Sequence, residues 1–223
     1  MSDDSFIREV DEEMRQDQAR ALWKRFGPVL IGAAVALVVA TAAWRFYQYT
    51  VESKANASGD RFLAALELAA DGKTDEAAQA LEALQKDGYG SYPVLARMRE
   101  ATLKAQSGDA AGAVVAFDAV AADTAIPDVI RDMARLRAGL LLVDSGSYAD
   151  VAERVEPLTG DANALRFTAR EALGLAAWKA GDAEDARKLF EQISGDVAAP
   201  RALAARAGIM LELIRSGQTA SNG

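Results

Sequence analysis

Histidine and cysteine are both missing from the 223 residues. Without a thiol there is neither a disulfide framework nor a thiolate metal site. Without an imidazole, Ser-His-Asp and Cys-His nucleophile systems and His-based metal centres are excluded. A phosphate-binding loop with its lysine, a dinucleotide fingerprint and a zinc spacing are missing too. No cofactor, metal or catalytic residue is therefore expected, and the chain reads as a binding protein rather than an enzyme. Positive charge is in deficit, with 25 Lys and Arg against 33 Asp and Glu. A net charge of −8 argues against a nucleic-acid partner, because phosphate contacts need cationic side chains. Lack of cysteine suits a domain outside the cytoplasm.

Charge itself is absent from one stretch. Between Arg25 and Arg45 no residue is ionisable, and Thr41 is the one side-chain hydrogen-bonding group between Phe26 and Trp44. As a helix rising about 1.5 Å per residue, this run reaches roughly 28 Å, close to the ~30 Å hydrocarbon core of a bilayer. Trp23 and Phe26 border one end, and Trp44, Phe46, Tyr47 and Tyr49 the other, as interfacial aromatics do. Residues 26–47 are expected to be a transmembrane helix, with Pro28 in its first turn. Arg15, Arg20, Lys24 and Arg25 precede the run, and only Arg45 and Lys54 follow it closely. That asymmetry places the N-terminus in the cytoplasm. The competing expectation is a cleaved signal peptide, since Ala40-Thr41-Ala42 before Ala43 has the A-x-A form. The long acidic head and the length of the apolar run favour an uncleaved anchor.

Residues 1–25 read as a cytoplasmic head. Ser5 is a candidate N-cap, and Phe6, Val10, Met14 and Leu22 recur near helical spacing. Either a docking helix or a solvated extension of the anchor fits this thin apolar stripe.

Residues 48–217 form the main domain, with 218–223 as a flexible tail. Glycines recur at Gly72, Gly108, Gly146, Gly181 and Gly217, the period expected of stacked helical hairpins. Three columns follow the first four of them: Ala77, Ala113, Val151 and Ala186; Leu81, Phe117, Val155 and Phe190; Leu84, Val120, Leu158 and Ile193. Their offsets trace one apolar helix face. Upstream, the small residues Ala65, Ala101, Gly139 and Gly174 let two helix backbones approach. Prolines Pro93, Pro127 and Pro200 fall in links, where each starts a helix without continuing one.

Arg61, Arg97, Arg135, Arg170 and Arg206 form another column, and Glu82, Asp118, Glu156 and Glu191 a further one. Facing positions in an antiparallel pair predict the ion pairs Arg61–Glu82, Arg97–Asp118, Arg135–Glu156 and Arg170–Glu191.

Spacing and columns together resemble tetratricopeptide repeats from about Gly59 to Gly217, most closely in Leu175-Ala-Ala-Trp-Lys-Ala-Gly-Asp-Ala-Glu-Asp-Ala-Arg-Lys-Leu-Phe190. The fold class expected is all-α: one transmembrane helix, then an α-solenoid of about four hairpins and a final helix, Arg201 to Arg215. In such repeats the first helices line a binding surface. The matching positions are Phe62, Leu66, Met98, Leu136, Leu140, Leu175 and Trp178. An apolar protein segment is the expected occupant, unless a helix of the same chain fills the groove.

The full layout is an acidic head, a span entered by Trp23-Lys-Arg-Phe-Gly and left by Trp44-Arg-Phe-Tyr, and a repeat domain. This resembles the YfgM-like ancillary subunit family of the bacterial SecYEG translocon. The resemblance implies an inner-membrane protein with a periplasmic repeat domain. It also implies protein partners: the translocon, a membrane-anchored periplasmic chaperone and client chains. A cell-envelope or division coordinator is the alternative reading. N-terminal sequencing of the membrane-extracted protein is expected to find residues upstream of Ala43; a mature chain starting at Ala43 would instead show a removed signal peptide.

Overall fold

A computed structural model describes the backbone of residues 3–221, and the side chains of Arg20 and of residues 23–217. Among the described residues all regular structure is helical. Nine α-helices follow one another: α1 (Asp3–Ala70), α2 (Thr74–Asp87), α3 (Tyr92–Gln106), α4 (Ala110–Ala122), α5 (Asp128–Ser145), α6 (Tyr148–Val155), α7 (Arg166–Lys179), α8 (Ala183–Ser194) and α9 (Arg201–Ser221). A single 3-10 turn, Glu156–Leu158, extends α6. The chain divides into two compact units, Met1–Asn56 and Ala57–Gly223.

Within the first unit, residues 28–47 are exposed throughout, and the Thr41 hydroxyl donates to the Leu37 carbonyl at 2.7 Å. That bond spares the one polar side chain of the run from needing a partner outside its helix. Length and apolar composition suffice for this helix to cross a membrane. Two local expectations are corrected. Pro28 lies inside α1, not in its first turn, and α1 begins at Asp3, ahead of Ser5. The side chains of Phe6, Val10, Met14 and Leu22 lie outside the described residues.

In the second unit the end of α1 pairs with α2, α3 with α4, α5 with α6, and α7 with α8, while α9 closes the series. Each second helix also packs on the next first helix. The three apolar columns are what these contacts bury. Ala77, Ala113, Val151, Ala186, Leu81, Val155, Leu84, Val120 and Ile193 are wholly buried, and Phe117, Leu158 and Phe190 nearly so. All but Ala113 divide into four clusters along the series, one per hairpin, so each unit packs on its neighbours.

Turns follow from residue type. Gly72, Gly108 and Gly181 adopt φ of 78°, 90° and 86°, a left-handed conformation that costs other residues roughly 1–2 kcal/mol. Gly146 departs from this, with φ −90° and ψ 176°, because Ser147 and Asp150 begin α6 with a reciprocal capping box. Gly217 does not end a helix: α9 runs on to Ser221. Glycine permits a left-handed turn but does not enforce one.

The small-residue column is sterically required at Gly139. A methyl group there would meet Val155 Cγ1 at 2.3 Å, whereas at Gly174 the nearest atom, Phe190 Cζ, would lie at 3.0 Å. Alanine gains about 1 kcal/mol of helix propensity over glycine, but overpacking costs typically about 1–3 kcal/mol. Gly139→Ala is therefore expected to lower the thermal midpoint, followed by circular dichroism, and Gly174→Ala to change it much less. Pairing Gly139→Ala with Val155→Ala should cost less than the two single losses combined. Additive losses would show that these two positions do not touch.

A candidate binding groove between first helices

α3 and α5 begin for related reasons. Pro93 occupies the first turn of α3, and Pro127, with φ −55°, caps the start of α5. Thr102 and Ala105 give α3 a narrow side toward α5, where Met133, Leu136 and Leu140 project. Two adjoining cavities of about 390 and 440 Å³ result, sharing Thr102, Met133 and Arg137. Leu95, Met98, Val129 and Ile130 line the first cavity, and Leu136, Leu140 and Leu141 the second. Val129 is 78% exposed and Leu140 41%. Such apolar exposure in a repeat domain marks a surface suited to a partner.

The seven apolar positions expected to share one surface separate. Met98, Leu136 and Leu140 line this groove, although Leu136 also belongs to the α5–α7 core. Phe62 packs instead against Tyr92, with ring centroids 6.1 Å apart, and Leu66 is half-buried on α1. Leu175 joins the core between α7, α8 and α9. Trp178 lies beside Gly217, where an added methyl group would sit 3.5 Å from its ring. Sequence columns missed Leu95, Val129 and Met133. Their signal was an apolar side chain on a first helix outside the repeating core columns.

The four expected ion pairs are replaced by others. Arg61 binds Asp87 at 2.8 Å, and Arg97 binds Asp123 at 2.7 Å and the Ala119 carbonyl at 3.0 Å. Arg135 takes Asp132 one turn back on its own helix. Arg170, its side chain only 9% exposed, donates to Asp161 at 2.5 Å and to the Thr159 carbonyl at 3.0 Å. Glu82 pairs with Lys86, Glu191 with Arg187, and Asp118 reaches Arg154 of the next hairpin at 2.7 Å. Glu156 begins the 3-10 turn and is exposed.

Side-chain direction explains the shift. Helical side chains lean toward the helix N-terminus, so an arginine on a first helix points away from the turn. Arg61 and Arg97 accordingly meet a carboxylate further along the second helix than opposition of backbones suggests, whereas Arg135 turns to its own helix and Arg170 to the link before α7. At about 100° per residue, the expected acids also lie roughly 130° from the centre of the buried face, against roughly 90° for Asp87. An aspartate fifteen residues after each turn glycine was the overlooked signal: Asp87, Asp123, Asp161 and Asp196. Asp196 takes Arg166 at 3.8 Å.

A hydrogen bond from Arg97, aided by the Ala125 amide, holds the Asp123 carboxyl below its ordinary pKa. Arg170 does the same for Asp161. A lowered carboxylate stabilises the fold above its unfolded-state value of ~3.9 and loses that effect as pH falls through the folded value. The gap in thermal midpoint between the parent chain and Asp123→Asn should therefore be full near about pH 6 and narrow below about pH 4. A gap independent of pH would mean that the Asp123 charge does not matter.

A family profile described as a tetratricopeptide repeat-like domain matches residues 20–206. No curated protein and no solved structure matches the chain. The profile spans the glycine-turn hairpins and most of their preceding helix, and on that match the chain belongs to the tetratricopeptide repeat-like domain family.

Proposed function

We propose that the protein is a single-pass membrane scaffold whose repeat domain holds a protein segment in the groove between α3 and α5. The observation that carries this reading is the groove itself: two adjoining apolar cavities along two first helices. Repeat domains of this family suit protein binding, since stacked hairpins expose their first helices as a continuous surface. The exposed, charge-free run of α1 supplies the tether, and the basic residues ahead of it favour a cytoplasmic N-terminus. The repeat domain then lies across the membrane, in a bacterial cell in the periplasm. An ancillary translocon subunit that passes emerging chains to periplasmic chaperones fits this layout, as the sequence resemblance implies.

No catalytic role is proposed. The acids near the cavities are engaged in ion pairs rather than gathered in a cleft.

Photo-crosslinking in intact membranes tests the reading. A benzophenone side chain at Leu140 or Met133 is expected to capture translocon subunits and a membrane-anchored chaperone. The same group at exposed Val115 on α4 should not. Cell-wall synthases as the main products would favour an envelope coordinator instead, and identical products from all three positions would remove the groove from the binding surface.

A further inference from the structure

Charge distribution around the groove differs from that of the rest of the domain. Between residues 57 and 217 ten arginines pair with carboxylates within 4 Å. Among the described residues of this segment only Arg99, Arg137 and Arg201 lack such a partner, and two of these three line the same cavity. Arg137 donates only to the Thr102 hydroxyl, at 3.1 Å. Arg99 makes no hydrogen bond, and its Nε is buried without an acceptor. Arg131 and Arg166 also have an unpartnered buried Nε, but their guanidinium ends are neutralised by Asp128 and Asp196. Neither cavity is lined by an aspartate or glutamate.

In a chain with eight more acids than bases, two neighbouring arginines without carboxylates are an electrostatic deficit set into an apolar surface. We infer that the groove selects an amphipathic segment bearing carboxylates beside its apolar side chains. This deepens the scaffold reading above and rests on it. Leucine- or methionine-sized side chains enter between Met98, Met133 and Leu140, while carboxylates take the free donors of Arg99 and Arg137. Arginine offers a planar fork of donors matched to a carboxylate. Methionines beside it adapt to different apolar shapes. The groove thus discriminates by acidic character more than by exact sequence, which suits a scaffold that receives varied chains. Its own acidic exterior repels such a segment elsewhere, so charge also guides it to this place.

The test uses the full chain in nanodiscs of neutral lipid. Probes are a fluorescent amphipathic helical peptide with leucines on one face and flanking glutamates, its Glu→Gln twin and its Leu→Ser twin. Fluorescence anisotropy at low salt is expected to show the Glu peptide binding about tenfold more tightly than the Gln twin, and the Leu→Ser twin not binding. Arg99→Gln with Arg137→Gln should bring the Glu peptide down to the level of the Gln twin and leave the latter unchanged. Arg99→Lys with Arg137→Lys, which keeps the charge but not the planar fork, should retain only part of the preference. Equal binding of Glu and Gln peptides would overturn the charge assignment while leaving the scaffold reading intact. Failure of all three peptides to bind a folded chain would remove the groove reading as well. Self-association abolished by Leu140→Glu would identify a second copy as the occupant and overturn the proposal.

Discussion

Every hairpin of the repeat domain depends on how closely its two helices approach. That distance is set where a small residue of the first helix meets a column residue of the second. At Gly139 the space is already taken by a Val155 methyl group, so the absence of a β-carbon there is a packing requirement. Once the backbones are that close, the second helix sinks its three apolar columns between its own partner and the following first helix. Hydrophobic burial then stabilises two junctions with the same side chains, which is why the unit repeats and why one alone could not enclose its core.

Electrostatics works around that core. Arg61 with Asp87 and Arg97 with Asp123 tie the two helices of a hairpin together at the end remote from the turn. Asp118 with Arg154 and Glu171 with Arg206 join one hairpin to the next, about one repeat apart in sequence. Lys179 does so differently, donating to carbonyls at the end of α5. Exposed pairs of this kind contribute typically under about 1 kcal/mol each, so their main effect is to fix register. Against that background the uncompensated arginines beside the α3–α5 cavity stand out as available for a ligand.

Site and core compete for the same side chains. Leu136 lines the groove while buried against α7, and Phe117 lines its floor from within the α3–α4–α5 core. A partner seated there would contact residues whose positions are already locked by packing. The groove therefore has a buried base and a more open rim, where Val129, Met133 and Leu140 are less enclosed.

Helices, turns and core columns were legible in the chain, because burial repeats with the helical period and Gly72, Gly108 and Gly181 adopt a conformation that favours glycine. The charge-free run before Trp44 was equally plain, since length and hydropathy suffice to describe it. What a one-dimensional column cannot carry is side-chain direction. Arg61 and Glu82 stand opposite one another by counting, yet the guanidinium leans away from the turn and reaches Asp87. Likewise Phe62, Leu175 and Trp178 occupy equivalent positions to Met98 and Leu140, but Tyr92 packs on Phe62 and α9 draws Leu175 into the core. Trp178 stays exposed beside Gly217, away from the groove that small residues on α3 leave open. Sequence alone determined the hairpins and the long apolar helix, because those depend on local periodicity and composition. Only the tertiary structure decided which arginines are neutralised and which first-helix faces remain bare, because both depend on neighbours brought together from separate repeats.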